Sequence, residues 1–109
     1  MQTFTVRDLR NRTGELISEA EQGHLSIITK HGTPVFVAVP FNDTLLQTGV
    51  RVSLGINMFA EGHVGLAQAA KVAGVSPSEM MSILAEHKIP MADYSREELQ
   101  DELKQFTEE

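Results

Sequence analysis

The chain has 109 residues and a formal net charge of −6, from nine basic and fifteen acidic side chains. A chain of this length suits one compact domain, or a small domain with an interaction arm, and it can bury a core without disulfides. The absence of cysteine excludes disulfide scaffolds, zinc ribbons and thiol chemistry. No apolar run approaches the roughly 18 residues of a membrane span and no signal-peptide pattern opens the chain, so we expect a cytoplasmic protein without a membrane partner.

The first thirty residues predict a strand followed by helical structure. Residues 2–6 alternate polar and apolar side chains as a strand does, and Thr5 followed by Asp8 has the spacing of a helix start. Helical periodicity then runs to residue 22, where Gly23 can end it. Because Gly14 interrupts this stretch, two short helices fit the pattern as well as one.

Residues 25–30 and 35–39 predict two further strands. The tight turn His31-Gly32-Thr33-Pro34 lies between them, so the pair should form an antiparallel hairpin. The order strand, helix, strand, strand predicts an α+β fold in which helices pack on one face of a small antiparallel sheet.

The second half of the chain predicts helices only. Helical segments are expected at residues 41–48, 50–61, 65–73 and 77–87, with Gly49, Gly62 and Gly74 between them and Pro90 as the final stop. Ser76-Pro77-Ser78-Glu79 is the clearest local signal, because Ser caps, Pro occupies the first helical position and Glu closes a capping box. We therefore expect two domains, residues 1–48 and residues 49–109.

The charge is distributed unevenly over these domains. Residues 1–43 hold four basic and five acidic groups and residues 44–92 hold three of each, whereas residues 93–109 hold two basic against seven acidic groups. Most of the chain can therefore present a local basic face, while the acidic tail is repelled by phosphate and attracted to a basic partner. The plainer interpretation is a solvated tail that promotes solubility.

Catalytic chemistry has little support in this sequence. Its four histidines are scattered without metal-ligand spacing, its glycines form no phosphate-binding loop, and its serines form no nucleophile elbow. We therefore expect no enzymatic activity, no metal and no cofactor.

Residues 65–87 have the pattern of a helix-turn-helix, with Gly74 at the bend and Val75 as an apolar plug. A bihelical hairpin that docks protein has the same pattern. Direct base reading usually needs Arg, Lys, Asn or Gln early in the second helix. The early positions here are instead Ser78, Glu79 and Ser82, so DNA contact and protein docking both remain open.

A basic set in the first 31 residues is the stronger candidate for nucleic-acid binding. Arg7 and Arg10 are three residues apart and share a face of any helix. A symmetric dimer would double a weak set of cations and match a palindromic site, although ordinary solvated cations are the alternative. The candidate DNA-binding residues are Arg7, Arg10, Arg12, Lys30 and His31.

The N-terminal motifs resemble the Phd/YefM family of antitoxins. The resemblance is carried by Val6-Arg7-Asp8-Leu9-Arg10, Gly14-Glu15-Leu16-Ile17, Gly23 and the stretch from Ile27 to Pro40, and it covers about residues 2–45. It implies a dimer built on the small sheet, with operator DNA held by Arg7, Arg10, Lys30 and His31. His31 departs from the Arg that is commoner at this position of the family.

The second half resembles a small prokaryotic helix-turn-helix antitoxin family that is often encoded beside PIN-type nuclease toxins. The resembling segments lie within residues 56–106: Ala60-Glu61-Gly62, Leu66 to Ser76, Leu84-Ala85-Glu86 and Ile89-Pro90-Met91. The chain is thus interpreted as a fusion of two antitoxin-associated modules.

These resemblances lead to the hypothesis of a type II antitoxin that represses its own operator and neutralises a cognate toxin, most simply a PIN-type ribonuclease. A capped C-terminal helix would lay its apolar stripe into a groove of the toxin, and three methionines would add adaptable contacts. The alternatives are a stand-alone transcriptional regulator and a protein-binding adaptor without a nucleic-acid role. The candidate toxin-binding residues are Met80, Met81, Met91, Arg96, Leu99, Leu103 and Phe106.

Overall fold

The computed structural model describes residues 1–91, and the chain divides into two compact units, Met1–Val50 and Arg51–Glu109. No helix among these described residues combines the length and apolar character needed to cross a membrane. In chain order the elements are β1 (Gln2–Thr5), a 3-10 helix (Asp8–Arg10), α1 (Thr13–Glu21), β2 (Ser26–Lys30), β3 (Thr33–Ala38), α2 (Asp43–Thr48), α3 (Val50–Ala60), α4 (Leu66–Ala73) and α5 (Pro77–Glu86).

The first unit contains a three-stranded sheet in the order β1-β2-β3, which confirms the α+β class. The sheet is mixed, however, and not antiparallel throughout: β1 runs parallel to β2, with Thr5 opposite Thr29, and β2 runs antiparallel to β3. The reason is the connection, because a helix between two neighbouring strands returns the chain in the same direction, whereas a tight turn reverses it.

The expected helical stretch after β1 is divided into two parts. Arg12 leaves helical geometry, with φ −116° and ψ 22°, between the 3-10 helix and α1. Beyond this break, the hydroxyl of Thr13 donates to the carbonyl oxygen of Leu9. Two helical segments are therefore present, as one of the two expected patterns had it, but the division lies at Arg12 and Gly14 is part of α1.

The β2–β3 connection is a two-residue turn. His31 and Gly32 both have positive φ, 51° and 79°, the combination that joins strands with the right-handed twist of a hairpin. The core beneath the sheet is small and consists of Phe4, Leu25 and Ile28, all fully buried, together with Pro40.

The described part of the second unit is helical, as expected, and α4 and α5 pack against each other across a short turn. Gly74 ends α4 with φ 76°, and the Ser76 hydroxyl accepts a hydrogen bond from the Glu79 backbone N–H at 3.1 Å. Helix α5 ends at Glu86, earlier than Pro90, because Lys88 adopts a left-handed conformation with φ 58°. The apolar core of this unit comprises Ile56, Phe59, Leu66, Ala69, Ala70, Ala73, Met80 and Leu84.

Candidate nucleic-acid interface

A surface cleft in the first unit gathers four of the five predicted DNA-binding residues. Its walls come from the end of β1, the 3-10 helix, the end of β2 and the hairpin turn. Because β1 and β2 are parallel and in register, their C-terminal ends lie side by side, and the segments that follow the two strands meet there. The lining residues are Thr5, Val6, Arg7, Arg10, Thr29, Lys30, His31 and Gly32.

The bend after β1 brings Arg7 and Arg10 to this cleft. Thr5 and Asp8 bond reciprocally: the Thr5 N–H donates to Asp8 Oδ2 at 2.9 Å, and the Asp8 N–H donates to Thr5 Oγ1 at 3.0 Å. The Val6 N–H donates to the Thr29 carbonyl at 2.9 Å, so the bend stays attached to β2. Arg7 and Arg10 then project from one turn of 3-10 helix, three residues apart.

The hairpin turn supplies the other two cleft residues. Lys30 is the last residue of β2 and pairs with Thr33, and His31 occupies the first left-handed position of the turn. Both side chains are exposed. Within residues 1–91, the structure gives the side chains of Arg7, Arg10, Lys30 and His31 no hydrogen-bond or ion-pair partner. The cleft therefore holds unneutralised positive charge that can receive an anion.

Arg12 occupies a different environment and does not line the cleft. Its guanidinium pairs with Glu15 at 2.8 Å and with Asp8 at 3.3 Å, and its Cζ lies 4.6 Å from the ring centroid of Phe4. The hydrogen bond to Glu15, assisted by the charges of Glu15 and Asp8, raises the pKa of Arg12 above its ordinary value. These partners occupy the guanidinium in the free protein, so its assignment as a phosphate ligand remains a prediction.

Asp8 is the carboxylate nearest to this basic set along the chain. The hydrogen bond from the Thr5 backbone N–H, followed by that from the Thr5 side chain and the charge of Arg12, lowers the pKa of Asp8. Its negative charge is thus compensated by hydrogen bonds from Thr5 and by the guanidinium of Arg12.

The second unit offers a different kind of surface. The exposed side chains of α5 include Ser78, Glu79, Ser82 and Glu86, and none of them is basic. A helix whose outer face carries these groups lacks the donors that read base edges in the major groove. Two consecutive helices joined by a tight turn are therefore present without the side chains of a DNA-reading helix, and their assignment as a helix-turn-helix stays a prediction.

The predicted toxin-binding residues that the structure describes lie in or against the core of the second unit. Met80 is fully buried, whereas Met81 and Met91 are half-buried and pack against that core. The side chain of Met80 is therefore unavailable to a partner in this fold. The other four candidates, Arg96, Leu99, Leu103 and Phe106, lie outside the described residues.

A second surface of the first unit is apolar and exposed. Strand β3 is an edge strand, and its consecutive residues Val35, Phe36 and Val37 are all exposed. The register shifts between Phe36, which pairs with Ile28, and Pro34, which pairs with Thr29, so Val35 is an extra residue in this strand. Beyond the strand, Phe41 is 80% and Leu46 66% exposed. We call Val35, Phe36, Val37, Phe41 and Leu46 the apolar edge. Three consecutive apolar residues in the last strand of a sheet are the sequence signal that could have predicted it.

Sequence reasoning also missed the cleft residues that carry no charge. Thr29 and Gly32 line the cleft, but nothing in the sequence shows that they lie beside the bend after β1. No group of three His, Asp or Glu side chains within residues 1–91 is arranged to hold a metal ion.

Comparisons with known proteins match both halves of the chain. Residues 1–45 match the family described as antitoxin Phd/YefM of type II toxin–antitoxin systems, and residues 35–108 match the uncharacterised protein family UPF0175. A UPF0175 protein of Aeropyrum pernix is 36% identical over 58 residues, which cover 53% of this chain and 64% of that protein. No solved structure is significantly similar to the chain. These matches confirm that the two halves of the chain are similar to two different families, as the motifs indicated.

Proposed function

This chain belongs to the UPF0175 family and its first 45 residues match the Phd/YefM antitoxins, and from this premise we propose that it is a type II antitoxin that represses its own operator and neutralises a cognate toxin. The observation that carries the proposal is the basic cleft, because four residues from separate parts of the antitoxin-like sequence line one concavity. A protein that contacts its own operator acts in the cytoplasm.

The cleft is suited to the DNA backbone. Arg7, Arg10 and Lys30 are cations without an anionic partner in the described chain, and His31 stands beside them. Cations that neutralise phosphates release counterions and provide most of the sequence-independent affinity for DNA. Arg7 and Arg10 also have the guanidinium geometry for two parallel hydrogen bonds to one phosphate.

A homodimer supplies the second cleft that stable operator binding requires. The apolar edge has exposed apolar side chains and unpaired backbone groups, a combination that favours pairing with another chain. A second copy seated on this edge buries Phe41 and Leu46 and relates the two basic clefts by a twofold axis. Such a dimer matches the symmetry of a palindromic operator.

The DNA test compares arginines inside and outside the cleft. Labelled duplexes tiled across the DNA that precedes the coding sequence are titrated with the unaltered chain, Arg10→Ala and Arg12→Ala. We expect salt-dependent binding, and in Arg10→Ala the log–log slope should become shallower by about 0.9 for each phosphate that is no longer neutralised. Unchanged affinity and slope in Arg10→Ala would exclude the cleft as the DNA site.

The toxin partner is proposed to contact the acidic C-terminal segment. Residues 93–109 hold seven acidic and two basic side chains, a balance that complements the basic, RNA-facing surface that a ribonuclease needs. The apolar positions 99, 103 and 106 have the spacing of one helical face, which suits a groove on the partner. We propose a PIN-type ribonuclease as this partner, bound in a hetero-oligomer with the antitoxin dimer.

The toxin test removes that segment from the co-expressed pair. The chain is co-expressed with the product of the adjacent gene, and growth and co-purification are measured. Deletion of residues 93–109 is expected to abolish both neutralisation and co-purification while operator affinity is retained. Neutralisation by the shortened chain would assign toxin binding to another surface.

A stand-alone regulator is the alternative function, in which the helix-turn-helix carries DNA specificity. The acidic and neutral outer face of α5, with Ser78, Glu79 and Ser82 at its start, argues against it. Replacing Ser78 and Ser82 by alanine distinguishes the two functions. An antitoxin that uses the first-unit cleft is expected to bind DNA with unchanged affinity, whereas a helix-turn-helix reader should bind it more weakly.

A further inference from the structure

We propose that Asp8 is a positioning residue of the basic cleft, so that an acidic side chain strengthens the binding of a polyanion. The inference rests on the proposed DNA-binding function and goes beyond it. Charge alone predicts that removing Asp8 strengthens DNA binding, whereas a positioning role predicts that its removal weakens binding. Asp8 does not line the cleft; it acts through the bend that carries Arg7 and Arg10.

The hydrogen bonds between Thr5 and Asp8 fix the conformation of the turn that connects β1 to the 3-10 helix. Thr5 ends β1 and Asp8 begins the 3-10 helix, and the two reciprocal bonds at 2.9 and 3.0 Å join the ends of the intervening turn. Within the described sheet, the Thr5 N–H has no strand partner that would replace Asp8, since β1 is an edge strand. Loss of the carboxylate therefore removes the acceptor of the Thr5 N–H and loosens the turn that carries Arg7, while the Val6 N–H still joins this turn to β2.

The negative charge of Asp8 is compensated by Arg12. Arg12 Nη1 lies 3.3 Å from Asp8 Oδ2, the same oxygen that accepts from the Thr5 N–H. Arg12 also binds Glu15 and stacks on Phe4, a ring that is fully buried beneath the sheet. The stack anchors the carboxylate–guanidinium pair to the core, and Arg7 and Arg10 are left with unneutralised charge.

Three substitutions separate positioning from electrostatics. D8A removes both the charge and the acceptor oxygen, whereas D8N removes the charge but keeps an oxygen for the Thr5 N–H. E15A is the matched control, because it removes another acidic partner of Arg12 and leaves the Thr5–Asp8 bonds intact. Each full-length variant is titrated with the same tiled duplexes at several salt concentrations.

We expect D8A to bind the duplex more weakly than the unaltered chain, and D8N and E15A to bind it as tightly or more tightly. The stability lost with a cap of this kind corresponds to a loss of affinity of at most about fivefold per cleft. The salt slope should also become shallower, by about 0.9 for each phosphate that the released arginines no longer neutralise. A defect that only lowers the fraction of folded protein leaves this slope unchanged, so the slope distinguishes positioning from general destabilisation.

The inference is overturned if D8A binds the duplex as tightly as D8N and E15A do. That result would mean that Asp8 affects binding only through its charge. In that case R10A still weakens binding, and the proposed function stands without the positioning role. If the unaltered chain binds no duplex, the proposed function fails and the inference fails with it. Should D8A not fold, T5A and T5S provide the comparison, because T5S keeps the hydroxyl that accepts from the Asp8 N–H and T5A does not.

Discussion

Gly55 on α3 lies against the backbone of Ala69 on α4, so closely that a Cβ at position 55 would stand 2.8 Å from the Ala69 carbonyl oxygen. The same Cβ would stand 3.1 Å from the Cβ of Ala73. The two helices thus approach through small residues, and Ile56 and Phe59 of α3 belong to the core that α4 completes. This close approach explains a glycine in the interior of a helix, where it otherwise costs stability.

We predict that Gly55→Ala destabilises the protein although alanine is the better helix former. The gain in helix propensity is about 1 kcal/mol, whereas overpacking against a backbone atom costs about 1–3 kcal/mol, so the free energy of unfolding should fall by about 1 kcal/mol. Urea unfolding followed by circular dichroism measures it. The control is Gly14→Ala in α1, where a Cβ meets no described atom within 4 Å; it should be neutral or stabilising.

Arg51 is predicted to stabilise the end of α4. Its Nε donates to the Val72 carbonyl and its Nη2 to the Lys71 carbonyl, each at 3.1 Å. These carbonyls belong to the last turn of the helix, where a cation also interacts favourably with the helix dipole. Arg51→Met should lower the free energy of unfolding by about 1 kcal/mol, and Arg51→Lys should restore part of it because an ammonium cannot reproduce the two-pronged contact. Equal stability of all three proteins would contradict this role.

The acid stability of the first unit is predicted to depend on Asp8. Hydrogen bonding to Thr5 holds the pKa of Asp8 in the folded chain below its ordinary value of 3.8. The stabilisation is therefore fully present above that value and is lost as the pH falls through the lowered folded-state pKa. Thermal unfolding of the unaltered chain and of Asp8→Asn between about pH 2 and pH 6 should show a smaller loss below about pH 4 in the variant. If acid lowered the melting temperature equally in the two proteins, the stability of this bend would not depend on protonation of Asp8.

The apolar edge is predicted to hold the proposed homodimer together. Phe41→Asp or Leu46→Asp places a charge on a surface that a second copy would bury, so each variant should become monomeric in light scattering and bind DNA more weakly. Ile17→Asp is the matched control, because Ile17 on α1 is 52% exposed and lies outside the apolar edge. Monomerisation by Ile17→Asp alone would assign the interface to α1.

Local sequence signals predicted the boundaries of the elements well. Gly23, Gly49, Gly62 and Gly74 all have positive φ and lie at or next to helix ends, as their spacing indicated. The cap of α5 is equally local, because the Ser76 hydroxyl accepts from the backbone N–H of Glu79, three residues further along the chain. Such features depend on a few consecutive residues, so they can be recognised without knowledge of the fold.

Tertiary structure decided which side chains share a site. The sequence by itself determined five candidate DNA-binding residues, but the parallel pairing of Thr5 with Thr29 brings four of them to one cleft. The fifth, Arg12, is engaged elsewhere by the ring of Phe4 and the carboxylate of Glu15. Likewise, the sequence assigned Met80 to the toxin-binding surface, and only the packing of the helices in the second unit showed that it belongs to their core. Periodicity reports one face of an element, whereas strand direction and the identity of what covers that face depend on residues distant in sequence.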